Sequence, residues 1–193
     1  MVSLITAALI TLGATTDFES IRKRVELDVA LGFETRTELI RSAMSSAAES
    51  ERGQVTAIVD DALGRHLAKQ KTWKGRTDCD RLEAAFAALN RRGIIAREYF
   101  GMTSTSGRGA MKELLVTDKK LQGFVFYTPQ DLENVFADEG VLLTLGAAAA
   151  GDDAHEAIAL AVVGALKKEG LTPERAGLTT VWVPLKWQKR RKP

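Results

Sequence analysis

Between residues 94 and 185 the chain alternates short β-branched or aromatic runs with helical stretches. This alternation most restricts what it can fold into. The runs are Ile94 to Phe100, "GFVFYT" at 123–128, "GVLLTLGA" at 140–147 and "TTVWVPL" at 179–185. A short helical pattern covers Ala110–Val116, and another starts at "TPQD", with Thr128 as cap and Pro129 at the first helical position. The longest runs from about Asp153 to Glu169, with Glu156 as a capping acid. It is nearly all apolar through Ile158, Leu160, Val162, Val163 and Leu166, so it has to be buried against the sheet. Helical crossovers favour parallel neighbours, and Pro184 puts the last strand at an edge or an end. The expected fold class is α/β, alternatively α+β: N-terminal helices packed on a four-stranded sheet, mostly parallel or mixed.

The first third is helical by its start signals. "TDFE" at Thr16–Glu19 and "TRTE" at Thr35–Glu38 are capping-box patterns, each followed by apolar residues at helical spacing. A third helix carries Val55, Ile58, Val59, Ala62, Leu63 and Leu67 on one face. "KTWKGRT" at 71–77 reads as a linker. Thr77 then caps a helix that places Cys79, Leu82, Phe86 and Leu89 together and stops at Gly93. Three parts follow: a helical N-terminal portion over 1–72, an alternating α/β core over 77–185, and a basic C-terminal tail over 186–193.

Net charge is +2 over 193 residues, but its placement matters more. Residues 186–193, "KWQKRRKP", hold five Lys/Arg and no acid, and the remaining chain carries 22 basic against 25 acidic residues. The body is therefore not a basic nucleic-acid surface, and contact with nucleic acid is expected only through the tail, which otherwise reads as a solvated end. A single cysteine, Cys79, excludes an internal disulfide and a Cys-rich zinc site. The apolar start "MVSLITAALITLGATT" lacks a basic n-region and is too short to span a bilayer, so a packed first helix or a frayed start in a cytoplasmic protein is expected over secretion.

"IIAREYFGMTSTSGRG" at 94–109 has the strand, glycine-rich loop and helix order in which backbone N–H groups hold phosphate. Ser104, Thr105, Ser106, Gly107 and Arg108 are the candidate anion-binding residues. The Walker pattern fails here: Gly101 and Gly107 enclose five residues, and Arg108-Gly109 stands where Lys-Ser/Thr is needed.

The stretch "TDCDRLEAAFAALNRRGIIAREYF", followed by "GFVFYTPQD", resembles a family of uncharacterised bacterial proteins common in actinobacteria. "GFETRTELI", "GVLLTLG", "AIALAVVGALKKEGL" and "VPLKWQKRR" extend the likeness to roughly residues 32–190. The family is a domain of unknown function, so the resemblance implies no mechanism. Its members have a cysteine cluster in the loop after the first strand. Met102, Thr103 and Ser106 stand at those positions here, and these side chains do not restore thiolate ligands.

Other candidate groups read as structural. Asp78 and Asp80 oppose a thiolate at Cys79 and complement a helix dipole. With Arg97 they form a candidate acidic and basic cleft. His66 reads as solvated, and neither it nor His155 sits in a catalytic spacing. No metal and no cofactor is expected. The leading expectation is a non-catalytic protein-binding or regulatory module whose ligand is another protein. The alternative is an enzyme or small-anion binder using the 101–109 loop.

Overall fold

The computed structural model describes residues 16–133, 135–138 and 140–191. The reading of the apolar start falls on residues 1–15 and lies outside them. Helices α1 (Phe18–Leu31), α2 (Arg36–Met44) and α3 (Arg52–Gln70) form the N-terminal part, with a short 3-10 turn at Glu49–Glu51. The remainder runs α4 (Asp78–Arg91), β1 (Ile94–Arg97), α5 (Ser104–Thr117), β2 (Gly123–Phe126), a 3-10 turn (Gln130–Leu132), α6 (Val135–Asp138), β3 (Gly140–Ala147), α7 (Asp152–Lys168), β4 (Glu174–Arg175) and β5 (Thr180–Pro184). Among the described residues no helix is long and apolar enough to cross a membrane.

Local signals set most helix starts. Thr35 and Glu38 form the expected capping box, and Thr77 and Asp80 form another. The first cap moves by one residue. Asp17, not Thr16, accepts the N–H groups of Glu19 and Ser20 at 3.1 Å, while the Thr16 hydroxyl donates to Glu51 at 2.6 Å. Asp is the stronger cap, and Thr16 instead ties α1 to the start of α3. Thr128 and Asp131 exchange cap hydrogen bonds as the sequence suggests, but the turn they start lasts only through Leu132. Glu156 does not cap α7. It is held by Arg175 through two hydrogen bonds of 2.9 Å.

Five strands form one mixed sheet in the order β1-β2-β3-β5-β4. Only β1 and β2 are parallel, joined by the α5 crossover. The other three pairings are antiparallel. The four-stranded expectation misses β4, and with it the direction of β5. The two residues of β4 pair with Val181 and Trp182, so the chain turns back once more after α7 and β5 runs antiparallel to β3. Pro184 sits opposite Gly140 at the end of β5, beyond the reach of β4, where a missing N–H is tolerated.

One sheet face is covered by α4 and α7. Val125, Val141, Leu143, Leu145 and Val181 there are fully buried against Leu82, Leu89, Val162 and Leu166. The apolar helix is buried on one side only: Leu160 is exposed. On the opposite face α5 covers Ile95, Phe124 and Phe126 with Met111. Helices α1–α3 have their own cluster around Val25, Leu39 and Val59. Full burial of each such side chain contributes about 1.5–3 kcal/mol.

Helix α5 starts at Ser104, six residues earlier than the sequence suggests, with Thr103 as cap and Ser106 returning the bond. Gly107 is therefore helical and buried, and a Cβ there would come within 2.4 Å of the Phe126 ring. Gly109, on the same helix, has open space. Gly107→Ala is expected to lower stability by about 1–3 kcal/mol, whereas Gly109→Ala is expected to raise it by up to about 1 kcal/mol. Urea denaturation of the two variants checks both.

Candidate functional site

After β5 the chain does not leave the body. Its alternation continues, with Val181, Val183, Leu185, Trp187 and Lys189 all buried. Residues 186–191 run as an extended strap between the N-terminal helices and the α/β part. As far as residue 191 the basic tail is thus not a solvated end. Gly32, in the left-handed region at φ +87, lets the strap pass: a Cβ there would meet the Lys189 side chain at 3.1 Å.

No strand pairs with the strap. Side chains of the body bind its backbone instead. Lys186 N donates to Asp78 Oδ2 at 3.0 Å, Gln188 N to Cys79 Sγ at 3.3 Å, and Arg191 N to Gln70 Oε1 at 2.7 Å. Gln70 Nε2 donates to Arg191 O at 3.0 Å. Trp187 inserts beside Phe33 and Tyr127, and its Nε1 donates to Leu31 O at 3.3 Å.

Lys189 is the centre of the site. It is 6% exposed, and its Nζ donates to Glu83 of α4 at 2.6 Å and to Glu98, just after β1, at 2.9 Å. The ammonium also lies 4.8 Å from the Phe33 ring centroid, a cation–π distance. Tyr127, fully buried just after β2, donates its hydroxyl to the other oxygen of Glu98 at 2.9 Å. Burial works against the lysine's charge, but the carboxylates of Glu98 and Glu83 more than offset it and hold the ammonium above its ordinary value. Burial, then the charge of Glu98 and the hydrogen bond to it, pushes the Tyr127 phenol well up.

The next two residues bind carbonyls and a carboxylate. Arg190 Nε donates to Asp80 at 3.2 Å and its Nη2 to Gly75 O at 2.8 Å, with the guanidinium over Trp73. Arg191 donates to Val29 O at 3.1 Å and to Glu34 O, answering one carbonyl in the last turn of α1 and one in the turn that follows. His66, expected to be solvated, is buried edge-on against Trp73, with Nε2 3.3 Å from Lys189 O. Burial lowers its pKa. Cys79 behaves as a small core group, and burial pushes its thiol up to about 12.

A groove of about 690 Å³ lies beside the strap. Asp80, Glu83 and Glu98 face Arg190 and Arg191 across a floor that includes Phe86 and Ala96. Each of those three carboxylates already has a cationic partner on the strap.

The chain matches the family model for a domain of unknown function (DUF6891) over residues 15–191. It belongs to the DUF6891 family. No curated protein and no solved structure shows significant similarity to it. The family match runs through the strap to residue 191, so Trp187, Lys189 and Arg190 are part of the domain and not an appendage.

Of the residues that the sequence singled out, Asp80 lines the groove and Asp78 fastens the strap. Arg97 lies elsewhere, at the exposed end of β1, and its Nη1 donates to Ala96 O. The expected anion-binding loop is the start of a helix. Ser104, Thr105, Ser106 and Gly107 form the first turn of α5. Arg108 spends its guanidinium on Leu145 O at 3.0 Å and Thr179 Oγ1 at 3.1 Å, bridging β3 to the start of β5. Arg108 thus directs its N–H groups at neutral oxygens of the sheet side. Among the described residues no group of three or more His, Cys, Asp or Glu could hold a metal ion. Sequence reasoning misses Glu83, Glu98, Tyr127 and Lys189. The signal for Lys189 was present, because V-x-V-x-L-x-W-x-K keeps the period-2 pattern past the strand.

Lys189→Ala strands two carboxylates around a buried seat, and is expected to cost about 3–5 kcal/mol. Arg36→Ala, which breaks an exposed pair with Asp60, is expected to cost no more than about 1 kcal/mol. The folded pKa of Lys189 is raised, so its stabilisation is whole below the ordinary value of 10.5 and is lost as pH rises through the folded value. The gap between wild type and Lys189→Ala is therefore expected to narrow at alkaline pH. Chemical denaturation at neutral and alkaline pH measures both effects.

Proposed function

We propose that this protein is a non-catalytic, regulatory protein-binding module. It recognises an extended segment in which an aromatic residue lies two positions before a lysine. The observation that carries this reading is how residues 186–191 are held. Their backbone is fastened by body side chains and not by a sheet ladder, while Trp187 and Lys189 fill separate seats. Peptides that add to a sheet edge divide the work alike, with main-chain bonds for affinity and alternate side chains for specificity, and here body side chains take the place of the edge. The chain's own C-terminal segment is then an internal occupant that a partner's segment of like chemistry replaces.

The pairing of every groove carboxylate supports recognition over catalysis. A general acid or base has to exchange its proton with a substrate, whereas Asp80, Glu83 and Glu98 are engaged by Arg190 and Lys189. Release of the strap exposes three acids, a tryptophan seat and the side chains that bind its backbone together.

The test weakens the internal occupant and supplies it from outside. A peptide of residues 185–193, LKWQKRRKP, added to full-length Trp187→Ala protein, is expected to raise the melting temperature saturably. The same peptide with alanine in place of its first WQK lysine is expected to bind about tenfold more weakly or worse. Absence of any peptide-dependent shift, or equal shifts from the two peptides, would sink the reading.

A further inference from the structure

A second cavity, of about 430 Å³, opens where the α1–α2 turn meets the end of β1. Phe33 and Glu34 come from the turn, Glu38, Arg41 and Ser42 from α2, and Tyr99 from the segment after β1. Phe33 and Tyr99 stack at 4.4 Å between centroids, nearly parallel at 10°. Phe33 also has the Lys189 ammonium at 4.8 Å, so the ring left to serve this cavity is that of Tyr99. Tyr99 is held there at a cost. It has φ +50, a left-handed conformation that a bulky residue rarely adopts.

Glu34 is the unusual group. Its Oε2 is buried with no hydrogen-bond partner among the described residues. Two neighbours are otherwise engaged. Arg24 holds Asp28 through both carboxylate oxygens at 3.0 and 3.1 Å, and Glu38 accepts the Thr35 N–H at 2.7 Å. Burial first, then the charges of Asp28 and Glu38, pushes the Glu34 carboxyl up, and Arg24 and Arg191, the latter bound to the Glu34 backbone carbonyl, only moderate this. A half-dehydrated carboxyl without a donor, next to an aromatic face, is what an organic cation needs: a ring for its charge and an acceptor for its N–H. Inorganic cations fit less well, because the described residues offer no cluster of metal-ligating groups.

We propose that this cavity is a binding site for a small organic cation, an alkylammonium or alkylguanidinium ion, seated on Tyr99 and hydrogen-bonded to Glu34. Glu34 and Glu38 outnumber Arg41 around the cavity, and Ser42 also lines it. The site is separate from the strap groove, so it stands or falls independently of the proposed function.

Titration of the full-length protein with n-butylammonium, followed by NMR shifts of the Tyr99 and Phe33 rings, tests the assignment. Saturable binding is expected, with n-butanol, the neutral isostere, giving none. Glu34→Gln removes the charge without removing the amide-sized side chain, and Tyr99→Leu removes the ring. Each is expected to weaken binding about tenfold, while Tyr99→Phe retains it. Glu34→Gln also relieves a buried acid, so this variant keeps the test decisive if Tyr99→Leu does not fold. Equal shifts from butanol and butylammonium, or undiminished binding by Glu34→Gln, would overturn the proposal.

Discussion

A buried lysine between two carboxylates organises this molecule. Removing the Lys189 ammonium from water costs several kcal/mol, which only close, well-oriented partners return. Glu83 and Glu98 supply two such partners at 2.6 and 2.9 Å, and Phe33 adds its ring face. The partners come from α4, from the segment after β1 and from the α1–α2 turn, so one side chain couples the helical portion to the sheet. Tyr127 fixes Glu98 from beneath. Without Lys189 this junction would hold two carboxylates facing each other beside a phenol, and the strap would lose its polar anchor.

That arrangement gives the junction a double character. The strap contributes to the fold by burying Trp187 and satisfying carbonyls at the end of α1. It is nevertheless attached largely by side chains, and such contacts open locally more readily than a sheet ladder held by consecutive backbone bonds. Stability and recognition here draw on the same groups, and a partner segment of matching chemistry would satisfy them equally well.

Much of the fold was legible because its signals are local. Thr35–Glu38 and Thr77–Asp80 name their own helix starts, and the strands at 94, 123, 140 and 180 show as β-branched or aromatic runs. The misses have specific causes. A serine took the place of the usual capping acid at the start of α5, so Ser104–Arg108 read as a loop. A strand of two residues, Glu174–Arg175, leaves no periodicity to detect, yet it reverses the direction of β5. Five basic residues in the last eight suggested a solvated end, although the alternation through Trp187 and Lys189 marked one buried edge. Of the candidate site only Asp80 and Asp78 were anticipated.

By itself the sequence determined what depends on near neighbours: helix caps, apolar faces, the glycine turns and the α/β class. The tertiary structure alone decided which charges meet. Lys189 finds Glu83 and Glu98 across 106 and 91 residues, and Arg108 reaches Thr179 across 71. Such pairs leave no periodic trace, because a charge in sequence reads the same whether water or a carboxylate surrounds it. Only packing removes the water, and only then does a basic tail become an internal strap and an apparent anion-binding arginine become a clamp between two strands.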